Sequence, residues 1–222
     1  MFSYIFMKML ERRPQSYDRL INKASRGKVL SAKKTIAAEL VTAKRILEIG
    51  CGTGELARML ARQGAIVDGF DLNPKMITFA REKSEAQNLE KNLFFQKMGV
   101  DGMDSLPTAD YDSVVATLVF SELSDDERRF ALKHAKRILK PGGLMAIADE
   151  VIPRTTLQKF MHLLFRLPML LATYLVTRTI TRPLGNPTED LITAGFDIEK
   201  EIRSHGDSFA VVTGRIDWED KT

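Results

Sequence analysis

A single cysteine, Cys51, in 222 residues excludes an internal disulfide and a multi-cysteine metal site. With no signal-peptide pattern at the start, it points to the cytoplasm. The three histidines, His134, His162 and His205, stand far apart without close metal-ligand pairing, so no metal site is expected. The longest strongly apolar run, Leu167 to Val176, is too short for a transmembrane helix, which takes about 20 residues. Internal repeats and low-complexity tracts are absent.

What is present is enough for one substantial core: hydrophobic residues make up 44% of the chain. The net charge is only +4, yet its distribution is uneven. Met1 to Lys34 holds nine Lys/Arg against two acids, and Val151 to Pro183 holds five against none, so the rest is net acidic.

The most informative stretch is Ile46 to Leu60. A short apolar run, Arg45 to Ile49, ends in glycines at alternate positions, Gly50, Gly52 and Gly54, and then Leu56, Met59 and Leu60 repeat with helical spacing. This predicts strand, glycine turn and helix. Dinucleotide sites space their glycines G-x-G-x-x-G to seat a pyrophosphate, whereas here the spacing is G-x-G-x-G and Glu48 precedes it. An acid there repels a pyrophosphate and suits a ligand with a cationic amino group.

Downstream, strands are expected over Ala65–Phe70, Leu93–Met98, Tyr111–Leu118 and Leu144–Asp149. Helices are expected over Pro74–Ala86 and Asp125–Leu139. The alternation implies a doubly wound, mostly parallel α/β sheet. Phe196–Ile202 and Ser208–Ile216 read as a closing antiparallel hairpin. Residues 1–41 read as a helical extension broken near Pro14 and Gly27, 42–222 as the main domain, and 151–190 as a basic, apolar helical insertion. Asp112 falls at the end of its strand away from any ligand and reads as structural. Lys140-Pro141-Gly142-Gly143 reads as a turn.

Ile46 to Leu60 resembles the E/D-x-G-x-G-x-G signature of class I S-adenosylmethionine (SAM) methyltransferases. Tyr111 to Val115 and Lys140 to Gly143 resemble further segments of that family, most of all its ubiquinone and menaquinone methyltransferase type. The resemblance covers roughly Thr42 to Glu150. It implies a Rossmann-like seven-stranded sheet, SAM as cofactor and a small-molecule acceptor. Ligands in such sheets bind at the carboxyl ends of the strands, so Asp71 suits the ribose diol, its rival reading being a helix cap that Asn73 supplies as well. The family pattern places Glu48, Gly50, Cys51, Gly52 and Gly54 around the methionine end, and Leu72 and Met76 against the adenine. Asp101 with Gly102 would lie at the adenine amino group, with Asp104 a rival to Asp101, and Thr117 at the end of the fourth strand. Glu122, Tyr17 and Tyr174 are the acceptor-side candidates, with Asp149 and Glu150 after the fifth strand.

Segments around Phe6 to Glu11, Ser16 to Arg19, Thr117 to Ser124 and Thr173 to Pro183 are also similar to the small corrinoid-protein-associated methyltransferases, which implies a corrinoid protein as partner. The two basic segments suit an anionic amphiphilic substrate, a negatively charged partner or an anionic membrane surface, beside the plainer reading of an amphipathic cover. A nucleic-acid partner is not expected, since no Asn-Pro-Pro-Tyr type motif follows the fourth strand. An NAD-dependent oxidoreductase and a non-catalytic SAM-binding regulator are the two alternatives.

Overall fold

The computed structural model describes residues 4–155, 183–204 and 206–216. Three helices come first: α1 (Tyr4–Glu11), α2 (Pro14–Ala24) and α3 (Lys28–Glu39). Pro14 takes the first position of α2, where its missing N–H costs no helical hydrogen bond. Gly27, at φ +79°, makes the sharp entry into α3. The alternating body follows as β1 (Arg45–Ile49), α4 (Glu55–Ala61), β2 (Ile66–Asp71), α5 (Pro74–Glu85), β3 (Leu93–Lys97), β4 (Tyr111–Thr117), α6 (Asp125–Ile138) and β5 (Leu139–Glu150). It closes with α7 (Pro187–Thr193), β6 (Phe196–Arg203) and β7 (Phe209–Ile216).

The seven strands order as β3-β2-β1-β4-β5-β7-β6. The first five are parallel, and β7 enters antiparallel between β5 and β6. Strand order reverses between β1 and β4, so a crevice opens above their carboxyl ends. Side chains alternate between the two faces, as strand geometry requires. Ile46, Val115, Leu144 and Ala146 pack with α2 to α5, while Leu47, Val114, Met145 and Ile147 pack with α6 and α7.

Two expectations change. Lys140 to Gly143 does not precede the fifth strand as a separate turn; it is a bulge within β5. Tyr111 pairs with Leu139 and Ser113 with Leu144, so the four residues between are accommodated on one side of the ladder, with Gly142 at φ +73°. Helix α7 was not expected as an element of its own. Its start, Asn186-Pro187, repeats the Asn73-Pro74 start of α5. The helix begins within the segment 151–190 read as an insertion and runs past its end to Thr193, and residues 156–182 lie outside the described residues. Among the described residues, no helix is long and apolar enough to cross a membrane, and no group of three or more His, Cys, Asp or Glu side chains could hold a metal.

Asp112 accepts the backbone N–H groups of Lys44 and Arg45 at 2.9 and 2.8 Å and the Lys140 ammonium at 2.7 Å, which staples the entry of β1 to β4 and the β5 bulge. Burial pushes its carboxyl up, but these three donors outweigh burial and hold it below the usual carboxylate range. Asp112→Ala is expected to destabilise the fold by about 1–3 kcal/mol at pH 7. A depressed carboxyl stabilises above its unfolded pKa and loses that contribution as pH falls through the folded value, so the deficit should shrink in acid. Urea midpoints of both proteins at pH 7 and below pH 4 check this.

Candidate active site

The three glycines that end β1 all have left-handed backbone: φ is +63° at Gly50, +52° at Gly52 and +71° at Gly54. The loop they form is pinned from several sides. Cys51 N–H donates to the Phe70 carbonyl at 2.9 Å, and Gly52 N–H donates to Asp71 Oδ2 at 2.9 Å. Thr53 Oγ1 donates to the Asp18 carboxylate of α2.

Asp71, at the end of β2, accepts Asn73 N–H on its other oxygen at 2.8 Å. Each carboxylate oxygen therefore holds one backbone donor and keeps capacity for another. The capping role belongs to Asn73, whose side chain accepts Lys75 N–H. Burial raises the Asp71 carboxyl, with the N–H groups of Asn73 and Gly52 opposing.

Tyr17, Gly50, Gly52, Asp71, Leu72, Met76, Asp101, Thr117 and Glu122 all line one cleft of about 760 Å³, a size suited to a small-molecule ligand. Leu72 is 70% exposed there. Thr117 brings a buried hydroxyl without a protein partner. Glu48, Cys51, Gly54 and Gly102 do not line the cleft. Glu48 is buried beneath the glycine loop, and Cys51 packs into the core against Gly69. Burial lifts the Glu48 carboxyl to about 8, against Lys33, the Ala57 N–H and Arg58. Burial likewise raises the Cys51 thiol, so it stays protonated. Tyr174 lies outside the described residues.

Asp149 is not on the cleft wall. Its carboxylate is buried and accepts Ser121 N–H at 2.9 Å and Glu150 N–H at 2.7 Å, which fixes the loop carrying Glu122. Burial raises this carboxyl to about 6, with the Ser121 contacts and Glu150 N–H opposing. His134 sits on α6 with its ring against Phe130.

Several contacts in the cleft could not be read from the sequence. Lys8 and Glu11 of α1 form an ion pair at 2.9 Å, and Lys8 also reaches Glu122 at 3.6 Å, while Asn73 Nδ2 donates to Glu11. Leu118 takes φ +60°, an uncommon backbone for a branched residue, just after β4. It turns Val119 toward Gly50.

The described wall of the cleft is mainly acidic. Of the basic residues in Met1 to Lys34, only Lys8 lines the cleft among the described residues, facing Glu11, Asp71, Asp101, Glu122, Asp126 and Glu127. Arg12, Arg13, Arg19, Lys23 and Arg26 are exposed. Most of the second basic segment lies outside the described residues.

The donor set fits SAM: acids for a ligand bearing a sulfonium and an ammonium, a carboxylate with free capacity on both oxygens for a diol, and glycine backbone open to close approach. Residues 46–143 match the family described as methyltransferase domain. The demethylmenaquinone methyltransferase of Chlorobaculum parvum is 32% identical over 166 residues, covering 71% of this chain and 64% of that enzyme. The chain thus spans less than two thirds of that relative. A SAM-dependent Diels-Alderase from Talaromyces variabilis is 32% identical over 130 residues, covering 54% and 44%. Among solved structures, a TehB-like SAM-dependent methyltransferase from Corynebacterium glutamicum superposes with a TM-score of 0.61 at 21% identity, covering 91% of this chain and 97% of the other. That last likeness speaks to the fold alone. The match is to a methyltransferase domain and the glycine spacing is not that of a dinucleotide site, so residues 46–143 are those of a methyltransferase domain on a class I, Rossmann-like fold.

Proposed function

We propose that this protein transfers the methyl group of SAM to a small-molecule acceptor held between α1–α2 and the loop after β4. The observation that carries this is the placement of Tyr17 and Glu122 in the same cleft as Asp71 and the glycine loop. Asp71 would hold the ribose hydroxyls, Leu72 and Met76 the adenine face, Asp101 the adenine amino group, and Gly50, Gly52 and Thr117 the methionine end. SAM supplies an electrophilic methyl on a good leaving group. The chain's part is alignment and exclusion of water, with proton removal where the acceptor is protonated.

Glu122 suits that last task. Burial raises its carboxyl to about 7, with Lys8 opposing and Glu11, Asp149 and Asp71 reinforcing. Burial and the surrounding carboxylates keep the Tyr17 hydroxyl protonated, able to donate toward the acceptor. A base works when deprotonated, so kcat/KM on a protonated acceptor should rise with pH to a plateau above about 7. Glu122→Gln should flatten the profile and lower the plateau roughly 100-fold while leaving SAM affinity within about twofold. A pH-dependent limb surviving in the variant removes Glu122 from the role.

The acceptor is best identified by mass spectrometry of molecules that co-purify with the protein, followed by transfer of label from methyl-labelled SAM. A small quinol or phenol is in keeping with the demethylmenaquinone methyltransferase relative. The corrinoid-linked context is a narrower proposal resting on sequence resemblance, part of it within residues 156–182. A second reading, SAM binding without methyl transfer, is favoured by the Diels-Alderase relative. Tight SAM binding with no S-adenosylhomocysteine formed from any co-purified acceptor would support it.

A further inference from the structure

The N-terminal helices contribute to the glycine loop as well as to the cleft. Three left-handed glycines in five residues make a loop with much freedom to lose on ordering, and its two other members, Cys51 and Thr53, are where it can be held. Thr53 is buried and does not line the cleft, and its hydroxyl lies 2.7 and 2.9 Å from the two oxygens of Asp18. Its carbonyl accepts from Arg58. A second tie runs alongside: Lys33 of α3 meets Glu55, the first residue of α4, at 2.9 Å, with both side chains largely buried. Tyr17, the chain neighbour of Asp18, lines the cleft. One turn of α2 therefore touches the ligand space with one residue and the loop beneath it with the next.

We propose that Asp18 is a positioning residue for the cofactor: through Thr53 it holds the glycine loop in its ligand-ready form, so that α2 is part of the SAM site without touching SAM. The contact spans 35 residues of sequence, and a charge-assisted hydrogen bond between a buried hydroxyl and a partly buried carboxylate is among the stronger kinds. A loop ordered beforehand spares the ligand the cost of ordering it. The inference rests on SAM being the cofactor.

The test is a double-mutant cycle read on SAM affinity by calorimetry, using the full chain. Asp18→Ala and Thr53→Val should each weaken SAM binding roughly tenfold, and the double variant should be no weaker than either single one, because both remove the same contact. Thr53→Ser keeps the hydroxyl and should bind like the wild type, which separates positioning from a folding defect. In the SAM-free protein, amide exchange across Gly50 to Gly54 should quicken in Asp18→Ala while the strands β4 and β5 keep their protection. Wild-type affinity in Asp18→Ala, or losses that add in the double variant, overturns the inference. Failure of the wild type to bind SAM overturns the cofactor assignment itself, and the positioning role with it.

Discussion

Replacing Asp71 by alanine is expected to abolish useful SAM binding. In the proposed pose its carboxylate accepts both ribose hydroxyls, each bond contributing about 1.5–3 kcal/mol because the acceptor is charged. Their joint loss, about 3–6 kcal/mol, weakens affinity at least 100-fold. The same carboxylate accepts Gly52 N–H and Asn73 N–H, so the variant also releases the loop from the end of β2. These two effects can be told apart. A 2′-deoxy analogue of SAM should bind the wild type more weakly than SAM does, since it lacks one hydroxyl. The Asp71→Ala variant should bind both equally weakly. If the variant still discriminates between them, another group reads the ribose and Asp71 serves the loop alone. Calorimetry with both ligands on both proteins decides it.

The parts legible from sequence are those whose signal is local. The glycine spacing, the acid ending β2 and the Asn73-Pro74 helix start each lie within a few residues, and each sits where the spacing places it. Asp112 could be read as structural because a strand has two ends and ligands take only one. The rest is set by long-range packing. Nothing near Lys8 indicates that it faces Glu122, more than 100 residues away, and Leu118 has no glycine or asparagine character to announce its left-handed backbone. Glu48 shows the limit most clearly. Its place before the glycines suits a ligand with a cationic amino group, and the structure puts its side chain among the buried residues of β1, off the cleft wall. Segment charge likewise does not say which way each side chain points: Arg19 and Lys23 of α2 are exposed while Lys8 of α1 lines the cleft, because a helix turns only one side to it.

Gly50→Ala is the substitution expected to damage both fold and site. A Cβ at this position stands 2.2 Å from Val119 Cγ2, far inside contact distance, and the backbone is at φ +63°, which costs an L-residue roughly 1–2 kcal/mol. Val119 does not turn aside cheaply even though it borders the cleft, since its branched side chain is stiff at χ1 and the residue before it already holds an uncommon backbone. Strain and overpacking together should cost about 2–5 kcal/mol, a fall in Tm of roughly 5–15 °C for a chain of this size. The double variant Gly50→Ala, Val119→Ala separates the two contributions. Trimming Val119 leaves its Cβ 3.4 Å from the new methyl, close to ordinary contact, so the packing part should be recovered and the backbone part retained. SAM affinity should not recover with it, because Gly50 lines the cleft and the proposed pose brings its backbone against the methionine end. Recovery of Tm together with SAM affinity would mean that the cofactor does not approach Gly50, and the glycine would then be required by Val119 alone.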